Sequence, residues 1–370
     1  MVQYLSKRQR IHYLDLIRVL ACFMVMMIHV RSAFDLKTDS ATQFFIATLR
    51  PCVPLFIMIS AILLLPLKDT TSIFLRRRVS RVVIPFLIWS ILYVFLPTPS
   101  KINFGGLENT LTASALAPWI KSLLMIPINF TWVNVHFWFI YTIIGLYLFM
   151  PIISPWFEKT TSKGLSYFLF IWVLTTILYY AKIWFPQIHG VCDWNEYGML
   201  YNFSGYLGYL VLGFFLHKYN TLTKVRSILF GSALWLTGAY FTYKGLLFSL
   251  SQPERMTWIL TEGQKVEFFI NNLSINVIMM TAGLFMILQK ITLTGFFYKV
   301  VREFSKYSYG IFLVHYFITI WMIHCLKTYE MNGILNSWIQ QPLMALLVFF
   351  GSYLIVKALS YLPKSEYIIG

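Results

Sequence analysis

DLIRVLACFMVMMIHV, residues 15–30, is apolar throughout except for Asp15, Arg18 and His29. Set as a helix, the stretch turns about 100° and rises about 1.5 Å per residue. Arg18 and His29, eleven positions apart, then project from nearly the same face, about 16 Å apart along the axis. A charged side chain at the centre of a bilayer costs at least about 3 kcal/mol on insertion scales, so both are expected to face a bundle interior or a water-filled cavity. Asp15, three residues before Arg18, is placed to pair with it.

The rest of the chain demands the same solvent. Of 370 residues, 58% are hydrophobic and 12% charged, against about 25% charged in a soluble domain. So much hydrocarbon cannot be hidden in a water-facing core, which predicts an all-α polytopic membrane protein whose partner is the lipid bilayer. Ten segments have spanning length, near 13–32, 42–66, 82–97, 136–156, 165–185, 200–217, 227–248, 269–288, 307–326 and 340–360. Residues 1–370 are read as one membrane domain without a separate soluble one. The apolar but proline-broken stretch within 98–135 is expected to be interfacial or re-entrant.

Charge sets the orientation. With the N-terminus inside, the inner segments hold 18 Lys and Arg and the outer loops 6, which places both termini in the cytoplasm. The same bias accounts for the net charge of +16 and removes the need for a nucleic-acid partner. Cys22, Cys52, Cys192 and Cys325 show neither metal spacing nor a disulfide framework, and no Gly-rich phosphate loop is present.

Four further stretches join the Arg-x10-His pattern of the first helix. They are VPLFIMISAILLLPL (53–67), RRRVSRVVIPFLIW (76–89), HFWFIYTIIGLYLFMPII (136–153) and SYGIFLVHYF (308–317). Together, in this order, they resemble acyltransferase family 3, the bacterial integral-membrane acyltransferases, although Ala61 stands where glycine is usual. The resemblance implies transfer of an acyl group, commonly acetyl from cytoplasmic acetyl-CoA or another acyl-CoA, to a sugar hydroxyl. The acceptor would be a cell-surface glycan or its lipid-linked precursor, and the location the cell inner membrane. It leaves open a homo-oligomer or a glycan-synthesis partner.

Such chemistry needs a donor site, a base, oxyanion stabilisation and a passage for the acyl arm. Arg76, Arg77, Arg78 and Arg81, read as a basic inner loop, are candidates for the CoA phosphates because guanidinium forks match phosphate oxygens. The positive-inside bias alone also explains loop arginines. Arg18 would line the entrance below them. His29 is the candidate base, since a neutral imidazole accepts a proton near neutral pH, or a transient acyl acceptor. His315, with Ser308 on roughly the same face, is the second candidate. It could orient His29, hydrogen-bond the thioester oxygen, or simply bond between helices. Arg50, His136, Trp138, Asn272 and Asn276 are expected to line an outer acceptor site of amides, an aromatic platform and an arginine. No metal is expected. The competing readings are a transporter of a lipid-linked sugar or small solute, since buried polar groups mark transport paths equally well, and a non-catalytic partner of a glycan-synthesis complex.

Overall fold

The computed structural model describes residues 10–96, 120–130, 132–185, 198–251, 262–329, 331 and 334–370. Among the described residues every regular element is helical. Six helical stretches are long and apolar enough to cross a membrane: His12–Ala33, Ser40–Leu64, Thr71–Phe95, Asn134–Lys159, Gly295–Thr328 and Ser337–Leu359. Helices also occupy the four remaining expected segments, two of them (Ser162–Leu178 and Ile275–Leu288) as shorter apolar helices. The stretch 98–135 lies mostly outside the described residues; 120–125 are helical.

Helix α1 (His12–Val30) is the hub. It packs against α3 (Cys52–Leu64), α12 (Gly295–Thr328) and α13 (Ser337–Leu359). Its Ile17, Ala21 and Met26 are completely buried. The second crossing is broken where Pro51 cannot donate a backbone hydrogen bond. Helix α2 (Ser40–Thr48) therefore ends, and in the break the carbonyl of Ile46 accepts from Nε of Arg50 at 3.2 Å. This seats a guanidinium inside an otherwise apolar crossing.

The basic segment 76–81 is helical rather than the expected loop. Helix α4 (Thr71–Arg78) runs through a π-helical stretch (Val79–Val83) into α5 (Ile84–Phe95), closed by the amide of Ile84 on the carbonyl of Val79. The cause is Pro85, which has no N–H for the carbonyl four residues back. The wider turn absorbs that defect, and the carbonyl of Val82 takes the hydroxyl of Tyr309 at 2.8 Å.

Helix α12 holds 34 residues, about 51 Å of helix against about 30 Å of hydrocarbon. Its first turns, carrying Lys299, Arg302 and Lys306, extend the crossing where a basic loop was expected. The intervening helices are α6 (Trp138–Lys159), α7 (Ser162–Trp184), α8 (Leu207–Tyr219), α9 (Lys224–Ser251), α10 (Glu262–Glu267) and α11 (Ile275–Leu288). Helices α9 and α11 meet through glycine: a Cβ on Gly231 would stand 2.7 Å from the carbonyl oxygen of Gly283.

Candidate functional site

Arg18 and His29 face cavities, as their shared helix face predicts, but not one uninterrupted cavity. Arg18 lines two spaces at the basic end. One, of about 780 Å³, also carries Arg10, Asp15, His217, Lys218 and Lys306. The other, of about 240 Å³, carries Arg78, Arg81, Tyr147, Ser308 and Tyr309. His29 lines a third space, of about 420 Å³, together with Arg31, Arg50, His136, Trp138 and Asn272. Phe139 and Phe312 line both the second and the third. Their rings meet edge to face with centroids 5.8 Å apart. The expected conduit is thus two chambers divided by an aromatic pair.

At the basic end, Asp15 does not pair with Arg18. It holds Arg10 in two contacts of 2.7 and 2.9 Å and accepts the hydroxyl of Ser305 at 2.6 Å. Arg18 reaches this network indirectly, through Nη1 to Oγ of Ser305 at 3.3 Å. Arg18 therefore keeps most of its donors for the cavities while Ser305 fixes its direction.

Arg78 and Arg81 line the narrow chamber, and Arg78 lies over the rings of Phe74 and Tyr147. Nε of Arg78 is buried without a hydrogen-bond partner. Arg76 and Arg77 do not join them. Successive helical positions point about 100° apart; Arg76 is exposed, and Arg77 pairs with Asp69. Ser308 was grouped with His315, but its hydroxyl bonds the carbonyl of Ser305 and the residue lines the basic chamber.

At the other end three imidazoles converge. The rings of His29 and His315 are 5.2 Å apart, those of His136 and His315 5.0 Å, and those of His29 and His136 6.4 Å. Tyr316 covers the group, 5.3 Å from His29 and stacked 4.8 Å from His136. His136 comes from a 3-10 turn (Trp132–Phe137), and α6 starts immediately after it. It is almost fully buried and both its ring nitrogens lack partners. It belongs to this cluster and also lines the third space with Arg50, Trp138 and Asn272, as expected of it.

Nδ1 of His315 lies 2.6 Å from the carbonyl oxygen of Phe312. A carbonyl only accepts, so Nδ1 carries the proton, and in the neutral ring Nε2 is a lone pair. That nitrogen is buried without a partner. His315 does not line the third space; its ring lies against those of His29 and His136. Among the described residues no group of three His, Cys, Asp or Glu is arranged to hold a metal ion.

Trp138, Asn272 and Arg50 line the third space with His29 and His136. Asn276 does not. It donates 2.7 Å hydrogen bonds to Thr242 and to the carbonyl of Phe269, and accepts from Tyr180, so both of its donors are spent on joining neighbouring segments. The spacing of four from Asn272 is real, but α11 begins only at Ile275, so the two are not on one helical face. The expectations missed Arg31, Glu267 and Tyr316. Arg31, two positions past His29 at the end of an apolar run, was visible; Glu267 lies in a segment with no distinguishing pattern.

Comparison with curated proteins and with solved structures gives no significant match. A family model described as an acyltransferase domain, acyltransferase 3, matches residues 11–357. That match takes in Arg18, His29 and the aromatic pair between the chambers, and the chain belongs to the acyltransferase 3 family.

Proposed function

We propose that the protein is a membrane O-acyltransferase that moves an acyl group, acetyl in the simplest case, from cytoplasmic acyl-CoA to a sugar hydroxyl of a surface glycan or its lipid-linked precursor. The observation that carries this reading, beside family membership, is the pair of chambers, a basic one lined by Arg18, Arg78 and Arg81 and an outer one lined by His29 and His136, that share Phe139 and Phe312. Ten crossings of the inner membrane, with both termini on the donor side and one domain throughout, complete the reading and fit the distribution of Lys and Arg.

The nucleotide end of the donor belongs in the wider basic space, whose volume is within the roughly 300–1,000 Å³ typical of ligand sites. Arg18 and Lys306 border both basic spaces. From there the pantetheine arm runs past Arg78 and Arg81 to the aromatic pair, and brings the thioester to His29. The acceptor hydroxyl enters from the outer chamber.

In the transfer, the hydroxyl oxygen attacks the thioester carbonyl while its proton passes to a neutral imidazole nitrogen of His29. The tetrahedral adduct collapses, the carbon–sulfur bond breaks, and the departing thiolate takes the proton back from the imidazolium. The products are an ester and free CoA. His315 acts as a positioning residue: its Nε2 lone pair, unpartnered in the resting structure, is set to accept an N–H from His29 or His136 and so to select that ring's tautomer. A route through an acyl-imidazole at His29 differs in one respect, since CoA then leaves before the acceptor arrives.

The test follows labelled acyl-CoA and a lipid-linked glycan in proteoliposomes. Transfer of label to the glycan with one CoA released per ester supports the reading. Glycan movement without thioester consumption favours a transporter. CoA release in a burst before acceptor addition selects the acyl-imidazole route.

A further inference from the structure

The outer chamber holds two arginines with little to bind. Arg31 has no side-chain hydrogen bond or ion pair with any described residue, and Arg50 has only its Nε bond to Ile46. Both line the cavity, as does Glu267, which ion-pairs neither among the described residues. Neither arginine is explained by topology, because the positive-inside rule depletes Lys and Arg at the outer ends of crossings. Nor is either cheap, since a cation held in a crossing without a counter-ion is costly. Two guanidiniums in one chamber leave one unbalanced positive charge beside Glu267 and a set of planar donor forks. Such forks match phosphoryl oxygens in two-point contacts.

We propose that the acceptor carries a phosphoryl or diphosphoryl group, bound by Arg31 and Arg50, which holds its sugar hydroxyl against His29. This rests on the acyl-transfer reading for the identity of the ligand as acceptor, but the anion site itself does not. Trp138 offers a ring for the sugar, and Asn272 and Glu267 are placed to take its hydroxyls. Glu267 repels the anion and limits its affinity, so the charge pattern has a sign that can be tested in both directions.

The experiment is calorimetric titration of inorganic pyrophosphate into the purified protein with CoA saturating, so that the donor chamber is already filled. Arg31→Gln and Arg50→Gln are each expected to weaken pyrophosphate binding about ten- to hundredfold, the loss of charge-assisted hydrogen bonds. Both should leave CoA affinity unchanged, which also shows that they fold. Glu267→Gln is expected to tighten pyrophosphate binding, which a merely structural role would not produce. Glucuronate at the same concentration is expected not to bind. Wild-type protein that binds no pyrophosphate, arginine variants that bind it equally, or equal binding of glucuronate would overturn the proposal. Arginine-dependent pyrophosphate binding in a protein that transfers no acyl group would sink the acyl-transfer reading and keep the anion site. Repeating the titration in phosphatidate and phosphatidylcholine nanodiscs assigns the source. Weaker binding only in phosphatidate supports a lipid-borne phosphate; equal binding supports one carried by the sugar alone.

Discussion

Ser305→Ala removes one oxygen from the join between Asp15 and Arg18, and its effect can be worked out from the bonds. The lost contact to Asp15 is short, 2.6 Å, and made to a carboxylate; the contact from Arg18 is long, 3.3 Å. A hydrogen bond to a charged group contributes about 1.5–3 kcal/mol in soluble proteins. Interhelical hydrogen bonds in membranes average about 0.6 kcal/mol and reach about 1.7. Asp15 keeps Arg10 and the hydroxyl of Tyr298, so it is not left bare. The membrane value governs at its upper end, and the expected loss of unfolding free energy is about 1.5 kcal/mol. The functional effect is separate. Arg18 loses its described hydrogen-bond acceptor and points less narrowly, so donor affinity should fall several-fold while turnover at saturating donor stays near wild type. Unfolding in mixed micelles and CoA titration measure the two effects, and Ser305→Thr, which keeps the hydroxyl, should recover most of both. Unchanged CoA affinity in Ser305→Ala, with Arg18→Ala losing it, would refute the idea that Ser305 aims Arg18.

The other predictions follow from the same contacts. Phe139→Ala and Phe312→Ala should merge the chambers and raise acceptor-independent CoA release about tenfold or more; release no higher than wild type would mean that the rings do not restrain the donor. Asn276→Leu should lower thermal stability, because Thr242, the carbonyl of Phe269 and Tyr180 each lose one hydrogen bond, while the acceptor KM in the surviving folded fraction stays unchanged; a changed KM with wild-type stability would return Asn276 to the acceptor site. Asp39, in the loop before α2, carries a pH signature. Burial pushes its carboxyl up, but hydrogen bonds from Ser337, Thr42 and Gln341 outweigh this and hold it below its ordinary value. A lowered folded value means that the unfolded chain binds the proton more readily. Its stabilisation is therefore full above about pH 4, the unfolded value, and fades as pH falls through the lower folded one. Thermal melts of wild type and Asp39→Asn should converge in that acid range, and a constant gap between them would contradict the assignment.

Much of the candidate site was legible because a charged or imidazole side chain in a hydrocarbon run is costly and needs a cavity or a polar partner. Arg18, His29, Arg50 and His315 all sit in such runs, and all reach a cavity or the histidine cluster. Helical periodicity correctly put Arg18 and His29 on one face. It could not show that Phe139 and Phe312, ordinary residues in two other helices, meet between them. Nor could it show that Arg81 joins Arg78 at the basic chamber, because the π-turn that Pro85 provokes lies between them. Asn272 and Asn276 illustrate the converse failure: a spacing of four implies one face only inside a helix, and the helix starts between them. Asp15 and Arg18 failed as a pair because Arg10, from beyond the helix start, offers a two-point contact.

The central claim is a division of labour along α1, with Arg18 binding the donor and His29 taking the proton of the attacking acceptor hydroxyl. The most direct measurement is CoA binding and single-turnover CoA release, in parallel, for Arg18→Ala and His29→Ala in detergent. A crossed pattern is expected: His29→Ala binds CoA like wild type and loses about 10²–10⁴-fold in release, the usual contribution of a general base. Arg18→Ala should bind weakly but turn over at saturating donor. Retention of full release by His29→Ala, or equal loss of binding in both variants, would contradict it.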